Sequence, residues 1–314
     1  MDDAHVTASV TAEPSTAPGS AKAPAHLDRA AFAPVDWSLF CAIGVIWGSS
    51  YLLIKLALDT FHPGLITWAR VASGAGALLI LRGGRTEIAP ADRGRVVLLS
   101  IVWVGIPFTL FPLAEQHINS AVTGLLTGAT PFFTGLFGAL WFSRPPRGPQ
   151  RLGMIVGFLG IIMISIGSSA EGGTAPLGVA MVLVATLGYG LATNLAGPLQ
   201  HRYGAVPLMR RMLALATLWT APLGLVGLAR STAAPVPIAA TLALGVVGTG
   251  LAFALMTSLV GRVGGNRASF ITYLIPLVAL VLGAAFLEES VTAAALAGAG
   301  LILAASVLAS RAEV

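Results

Sequence analysis

The chain alternates between long apolar runs and short breaks rich in charged residues, proline or glycine. From about Trp37 onwards the apolar runs recur to the C-terminus. Each has roughly 20 residues, enough to cross a hydrocarbon core about 30 Å thick at 1.5 Å per residue. Stretches such as 177–185 and 277–287 are apolar on every side, whereas the strands of a membrane barrel alternate apolar and polar positions. The pattern therefore predicts an all-α integral membrane protein.

Ten transmembrane helices are predicted, five in each half of the chain. They cover approximately residues 37–58, 64–82, 95–115, 119–142, 151–169, 176–198, 206–229, 237–260, 266–287 and 291–310. The preceding segment, 1–35, is rich in Ala, Pro, Ser and Thr and has no basic stretch leading into an apolar one. We expect a disordered cytoplasmic tail there, followed by five-helix units at 37–169 and 176–310.

The charges predict the orientation of these helices. Only 10% of residues are charged and the net charge is +5, against about 25% charged residues in soluble domains. With the N-terminus in the cytoplasm, all Lys and Arg residues fall on cytoplasmic flanks except Arg230, which is outside, and Lys55 and Arg70, which lie within helices. Basic loop residues favour the cytoplasmic side. The membrane topology thus accounts for the basic charge, and no binding of nucleic acid is needed to explain it. We expect a protein of the bacterial inner membrane with both termini on the cytoplasmic side.

The two halves show a weak internal repeat. An offset of 145 residues aligns Thr127 with Thr272 and Pro131 with Pro276, and one of 142 aligns Trp47 with Tyr189. Because each half has an odd number of helices, equivalent segments enter the membrane from opposite sides. Such inverted repeats are the usual basis of alternating access, with a substrate site near the midplane. The predicted function is therefore the transport of a small molecule.

Polar and aromatic residues at helical spacing indicate which faces line a path. Thr127 and Thr130 belong to a threonine stripe on helix 4, and we expect it to meet the corresponding stripe on helix 9 across the pseudo-twofold axis. Alternatively, these hydroxyls bond their own helix backbone or join helices together. The candidate substrate-binding residues are Trp47, Ser50, Tyr51, Phe108, Thr127, Thr130, Tyr189, Asn194, Thr249, Thr272 and Tyr273.

Charged residues in or near the predicted helices have competing interpretations. Lys55 either reaches the outer interface by snorkelling or binds a substrate carboxylate, and Glu115 is either a proton-coupling carboxylate or an outer-surface group. Both are candidates for coupling. Arg70 is expected to pair with a carboxylate or with carbonyls. Glu288 and Glu289 are expected at the start of helix 10, where negative charge suits the helix dipole.

Short motifs in both halves resemble the drug/metabolite transporter superfamily, specifically its EamA-type members. The motifs are AIGVIWGSSYLLIK at 42–55, HPGLITWAR at 62–70, the prolines of helices 4 and 9, FLEESVT at 286–292 and ALAGAGLIL at 295–303. The resemblance covers roughly residues 38–310. It implies ten helices in two inverted five-helix repeats and a cavity lined chiefly by helices 1, 3, 4, 6, 8 and 9. It also implies export or exchange of amino acids and related metabolites.

The sequence departs from the family pattern after helix 4, where Ser143 and Arg144 replace a frequent Gly-Glu pair. Helices 1 and 6 also lack the acidic residue with which small multidrug relatives bind cations, so a proton-coupled exporter of that kind is disfavoured. Sugars, nucleosides and drugs remain alternative substrates, and a non-transporting scaffold or receptor is the alternative from another class. No enzyme signature, cofactor or metal site is found. The expected partners are a small-molecule substrate and the lipid bilayer, with the protein as a monomer.

Overall fold

A computed structural model of the protein describes residues 32–80, 87–141, 148–169 and 175–311, and these residues are helical apart from short connections. The helices are α1 Pro34–Ala57, α2 Pro63–Ile80, α3 Pro90–Ala114, α4 Ser120–Trp141, α5 Gly148–Ser169, α6 Ala175–Tyr203, α7 Ala205–Leu228, α8 Pro235–Val263, α9 Ile271–Phe286 and α10 Ala293–Arg311. Seven of them, α1 to α4 and α6 to α8, are long and apolar enough to span a membrane, while α5, α9 and α10 contain shorter apolar stretches. The all-helical prediction is confirmed for the described residues. The predicted N-terminal tail falls mostly outside them.

Several helices begin earlier than the hydrophobic pattern predicted. Proline is the first residue of α1, α2, α3 and α8, where its missing N–H is not needed and its fixed φ suits the helix. As a result, Asp36 and Asp92 lie in the first turns of α1 and α3, although the predicted bounds left both outside. At its other end, α6 continues through Pro198 to Tyr203.

Two helices contain a wide, π-helical stretch at equivalent places. The stretch in α3 is Ser100–Gly105 and that in α8 is Ala243–Leu251, and an offset of 144 residues places the first within the second. In α3, Pro107 lies two residues after the stretch and cannot donate a backbone hydrogen bond. In α8, the hydroxyl of Thr249 donates to the carbonyl of Leu244, five residues earlier, at 3.0 Å. Such wide turns frequently occur at functional sites.

Eight of these helices form a ring in which each packs against the next. The order around the ring is α1, α9, α4, α6, α3, α7, α2 and α8, and α8 packs against α1. If α1 to α5 are matched with α6 to α10, the contacts around the ring occur in equivalent pairs. The contact of α1 with α9 is equivalent to that of α6 with α4, the contact of α2 with α8 to that of α7 with α3, and the contact of α1 with α8 to that of α6 with α3. The ring surrounds a centre to which α1, α3, α4, α6 and α8 all contribute side chains.

Helices α5 and α10 pack against each other and against α4, beside the ring. Their contact is backbone to backbone at Gly160 and Gly298, because a Cβ added to either glycine would lie 2.6 Å from the other residue's carbonyl oxygen. Small residues allow this close approach of apolar helices. The contact therefore depends on glycine at both positions.

The bundle has two ends, named here after a residue at each. At the Asp36 end, α1 and α3 begin and α6 and α8 end; at the Glu115 end, α1 and α3 end and α6 and α8 begin. Two ion pairs join helices at the Asp36 end, Asp36 with Arg262 between α1 and α8, and Asp92 with Arg202 between α3 and α6. The Asp92 carboxylate also accepts a hydrogen bond from the hydroxyl of Tyr203 at 2.7 Å. These bonds tie α1 to α8 and α3 to α6 at this end.

Candidate functional site

Four helices meet at the centre of the ring through a hydrogen bond between two hydroxyls and contacts between aromatic rings. The hydroxyl of Tyr51 donates to the Oγ1 of Thr127 at 2.9 Å, which joins α1 to α4. The ring of Phe111 on α3 lies edge-on to Tyr51 and contacts Tyr189 on α6, with centroid separations of 5.8 Å in both cases. We call these four residues the upper cluster. Three of them are among the candidate residues selected from the sequence, and Phe111 is not.

A second layer lies about one helical turn nearer the Asp36 end. The indole N–H of Trp47 donates to the backbone carbonyl of Gly248 on α8 at 3.2 Å. The ring of Phe253 on α8 stands between Trp47, at 5.7 Å, and Trp103 on α3, at 6.3 Å. These three aromatic residues form the lower cluster and connect α1, α8 and α3. Of the three, the sequence analysis selected only Trp47 as a site residue.

Arg70 lies in the wall formed by α2, α3 and α8, with only 6% of its surface exposed. Its guanidinium carbon is 3.9 Å from the centroid of the Phe108 ring, a cation–π contact. Its Nε donates to the hydroxyl of Thr249 at 3.3 Å. Pairing with a carboxylate or with carbonyls was expected, but the partners in the described part of the chain are a ring and a neutral hydroxyl.

Lys55 and Glu115 lie beside the upper cluster at the Glu115 end. The Lys55 ammonium donates to the backbone carbonyl of Glu115 at 2.7 Å, at the end of α3 where free carbonyls attract cations. The Glu115 carboxylate is fully buried, and neither of its oxygens has a hydrogen-bond partner among the described residues. The interpretation of Glu115 as a surface group is therefore wrong. Because burial removes water, it raises the pKa of this carboxyl well above its usual range, and the Lys55 charge opposes the rise.

An open cavity of about 640 Å³ lies at this end of the bundle. It is bordered by the ends of α1, α3 and α9 and by the start of α8. The lining residues are Lys55, Leu56, Leu58, Asp59, Glu115, Gln116, Val236 and Leu287. The cavity therefore connects the region around Lys55 and Glu115 with the exterior of the protein.

Glu289 caps the start of α4. Its carboxylate accepts hydrogen bonds from the backbone N–H groups of Ser120 and Ala121 and from the Ser120 hydroxyl, each at 2.9 Å. The prediction that Glu288 and Glu289 stand at the start of α10 is wrong, because α10 begins at Ala293. The argument from the helix dipole applies to α4 instead.

The remaining candidate residues belong to neither the upper nor the lower cluster. The Thr130 hydroxyl donates to the Thr127 carbonyl of its own helix, and the Ser50 hydroxyl likewise to the carbonyl of Ile46. The Asn194 amide joins α6 to α4 by donating to the Thr134 carbonyl at 2.9 Å. Thr272 and Tyr273 are half-buried on α9, nearer the Asp36 end. Binding of substrate by any of these residues stays a prediction.

Helices α4 and α9 contact each other at their crossing through small residues. The sequence analysis had expected their polar stripes to meet there. A Cβ added to Gly124 would meet the side chain of Ala279, and one added to Gly128 would meet Pro276 at 3.2 Å. The threonines of the α4 stripe instead bond carbonyls of their own helix. Beyond the crossing, the segment Thr130–Trp141 packs against α5, α6 and α10, whereas the first turns of α9 pack against α1. The two helices thus diverge towards the Asp36 end.

Comparison with known sequences gives two matches to one family, one in each half. The model of the EamA-like transporter family matches residues 37–166 and 176–311. An uncharacterized transporter of Archaeoglobus fulgidus is 26% identical over 85% of this chain and 95% of its own length. The uncharacterized inner membrane transporter YedA of Escherichia coli K12 is 26% identical over 88% of this chain and 90% of its own length. These matches extend over both halves of the chain.

Two further similarities concern a named exporter and the fold. A probable terminal-alkyne amino-acid exporter of Streptantibioticus cattleyicolor is 25% identical over 88% of this chain and 93% of its own length. A protein of known crystal structure superposes with a TM-score of 0.57 at 16% identity, covering 89% of this chain and 99% of its own. That similarity shows a shared fold. With the family model matched in both halves, this multi-pass membrane protein belongs to the EamA-like transporter family, as the sequence motifs predicted.

Proposed function

We propose that the protein exports or exchanges small metabolites, namely amino acids or related compounds, by alternating access. In this proposal ten helices cross a bacterial inner membrane as two oppositely inserted five-helix repeats, with both termini in the cytoplasm. The observation that carries it is the pairing of helix contacts around the ring, in which each contact of one half has its counterpart in the other. The two family matches, one per half, support the same division.

The arrangement of α4 and α9 supports a specific way to alternate access. Near the Glu115 end the two helices touch through glycine, alanine and proline, and towards the Asp36 end they separate. If the two halves exchanged their arrangements, α4 and α9 would approach each other at the Asp36 end and separate at the Glu115 end. Contacts such as Trp47 with Phe253 join the halves through aromatic rings, and each such pair contributes only about 0.5–1.5 kcal/mol beyond its buried area. They can therefore be replaced by contacts with a substrate.

The chemistry of the centre supports a small amphipathic substrate. The Tyr51 hydroxyl and the Trp47 indole would exchange their present hydrogen bonds for bonds to a substrate, while Phe111, Phe108 and Phe253 offer apolar surface. An amino acid with an apolar side chain fits this combination, and one relative is named as a probable amino-acid exporter. Sugars, nucleosides and drugs are the alternative substrates, and a scaffold or receptor that transports nothing is the alternative from another class.

Glu115 is the proposed coupling residue, with Lys55 as its neighbour. A buried carboxylate without hydrogen-bond partners is more stable when protonated. The adjoining cavity offers protons a route from the Glu115 end. Binding and release of one proton at Glu115 would then accompany the change of access.

Counterflow in proteoliposomes tests the proposal. Purified protein is reconstituted with one unlabelled amino acid inside, and uptake of the same labelled amino acid is measured against empty liposomes, for each standard amino acid in turn. We expect transient accumulation of at least one apolar amino acid. Accumulation of a sugar, nucleoside or drug and of no amino acid would reject the proposed substrate, and the absence of flux for every class would favour the scaffold or receptor.

A further inference from the structure

Arg70 carries a buried positive charge that no carboxylate neutralises within 4 Å in the described part of the chain. In that part of the chain the guanidinium makes a single hydrogen bond, from Nε to the Thr249 hydroxyl. The two terminal amino groups of the guanidinium donate to no described residue. A guanidinium taken out of water without an ionic partner is costly, and its contact with the Phe108 ring recovers only about 2 kcal/mol.

The carboxylates near Arg70 leave its guanidinium without an acidic partner of its own. Glu115 is near enough to interact electrostatically with Arg70, but it also lies beside the ammonium of Lys55. The carboxylate of Glu289 is already occupied by its three hydrogen bonds to the start of α4. Even when ionised, Glu115 is shared between Arg70 and Lys55, and the exposed carboxylate of Asp59 lines the same cavity as Lys55. Protonation of Glu115 would leave Arg70 without that carboxylate.

The position of Arg70 links this charge to the central clusters. Phe108, on which the guanidinium lies, is one helical turn from Phe111 of the upper cluster, and the phenols of Tyr51 and Tyr189 are near enough to interact electrostatically with Arg70. Thr249, which accepts from Nε, lies within the π-helical stretch of α8. The free amino groups are therefore held on a fixed planar fork beside the proposed substrate path.

We propose that Arg70 binds the carboxylate of the transported substrate through its two terminal amino groups. This inference rests on the proposed function and narrows the substrate to solutes that carry a carboxylate. The planar guanidinium suits two parallel N–H···O bonds to such a group, a geometry that a lysine cannot reproduce. Phe108 fixes the plane of the fork and Thr249 fixes its rotation. The apolar part of the substrate then faces the rings of Phe111 and Tyr189.

A panel of analogues tests this inference on the unaltered protein. Proteoliposomes loaded with L-leucine take up labelled L-leucine in the presence of L-leucine, leucinamide, isoamylamine or 4-methylpentanoate as competitors. If another amino acid gives the stronger counterflow, its own amide, amine and acid replace these. We expect the two compounds that retain a carboxylate to compete at least about tenfold more strongly than the two that lack it. Equal competition by the amide and the amino acid would overturn the inference.

Variants then assign the preference to Arg70. In Arg70→Gln the advantage of the acid over the amide should disappear, and in Arg70→Lys it should be reduced with a raised KM. Arg210→Gln is the matched control, since this half-buried arginine on α7 donates to the carbonyl of Leu78 at 2.9 Å, away from the centre. Size-exclusion profiles and melting curves in detergent report whether each variant folds. If Arg70→Gln does not fold, the analogue panel on the unaltered protein and the Arg70→Lys variant test the inference.

The outcomes separate this inference from the proposed function. Amino-acid counterflow with an unchanged preference for the acid in Arg70→Gln would reject the role of Arg70 and leave the function standing. Counterflow of solutes without a carboxylate, and of no solute with one, would reject both. Loss of acid selectivity in Arg70→Gln with the Arg210→Gln control intact is the result that supports the assignment.

Discussion

The hydroxyl of Tyr51 donates a hydrogen bond of 2.9 Å to the Oγ1 of Thr127, and both residues are buried at the centre of the helix ring. The Thr127 hydroxyl in turn donates to the Gly124 carbonyl at 2.6 Å. These two hydrogen bonds connect α1 to the segment Ser120–Thr127 of α4, next to the point where α4 crosses α9. The position of α4 relative to α1 therefore depends partly on one tyrosine hydroxyl.

Removal of that hydroxyl should impair transport while leaving the fold intact. Tyr51→Phe and Thr127→Val each break the bond, and we expect the maximal counterflow rate to fall several-fold in both, since a buried hydrogen bond contributes about 1 kcal/mol. The double variant should lose little more than either single one, because the same bond is removed. Thr123→Val is the matched control: this threonine on α4 is also buried, but it bonds only the Asn119 carbonyl of its own helix. Equal losses in the control and in Thr127→Val would contradict the account.

Glu115 should make stability depend on pH. Because burial raises the pKa of this carboxyl, the folded protein holds its proton at pH values where the unfolded chain has released it. Stability should therefore fall as pH rises from about 4.3, the ordinary value of a glutamate, towards the raised value, and remain reduced above it. Melting temperatures in detergent across this range measure the effect. Glu115→Gln should flatten the fall.

The control for this pH profile is Glu288→Gln, since Glu288 is exposed in the connection between α9 and α10. Its profile should match that of the unaltered protein. Counterflow measured at the same pH values should also become less dependent on pH in Glu115→Gln. If Glu115→Gln and the unaltered protein have superimposable melting profiles, the buried carboxyl does not titrate as we infer.

Loss of the Glu289 cap should destabilise the start of α4. Glu289→Ala leaves two backbone donors and one hydroxyl without their acceptor. We expect a loss of about 1–3 kcal/mol, the usual cost of unsatisfied polar groups, visible as a lower melting temperature in detergent. Glu288→Ala, one residue earlier and exposed, should change it little. A stable Glu289→Ala variant would show that water or a neighbouring group replaces the carboxylate.

Two glycines in α5 and α10 should respond in opposite directions to alanine. A Cβ at Gly160 would meet the backbone of α10, whereas a Cβ at Gly300 would meet nothing within 4 Å. Gly160→Ala should therefore separate the two helices and lower the melting temperature. Gly300→Ala should be neutral or slightly stabilising, because alanine favours helices by up to about 1 kcal/mol over glycine. Tolerance of Gly160→Ala would mean that α5 and α10 shift without cost.

The length of the apolar runs predicted the helical class well because most of them are long enough to span a membrane, but it placed several helix ends wrongly. Helix α3 extends back to Pro90 since polar residues such as Asp92 are tolerated in a first turn outside the apolar core. Three of the candidate residues selected from the sequence, Tyr51, Thr127 and Tyr189, lie together at one centre. Their binding of substrate stays a prediction.

Long-range partners were not predictable from the sequence. Glu289 is followed within a few residues by α10, yet its carboxylate caps α4, about 170 residues away in the chain. Nothing local indicates that pairing. Glu115 is polar and ends an apolar run, which is typical of a surface group, and the packing of the surrounding helices buries it. The threonine stripe of α4 was a regular pattern with a local explanation, because each hydroxyl bonds its own helix.

The opposed insertion of the two halves is tested most directly by labelling equivalent loops. On a Cys41→Ala background, single cysteines replace Gln116, in the exposed connection between α3 and α4, and Gly265, in the equivalent connection between α8 and α9. Intact cells are treated with a membrane-impermeant maleimide before and after permeabilisation. The account predicts that Gln116→Cys is labelled in intact cells and Gly265→Cys only after permeabilisation. Labelling of both positions from the same side would contradict it.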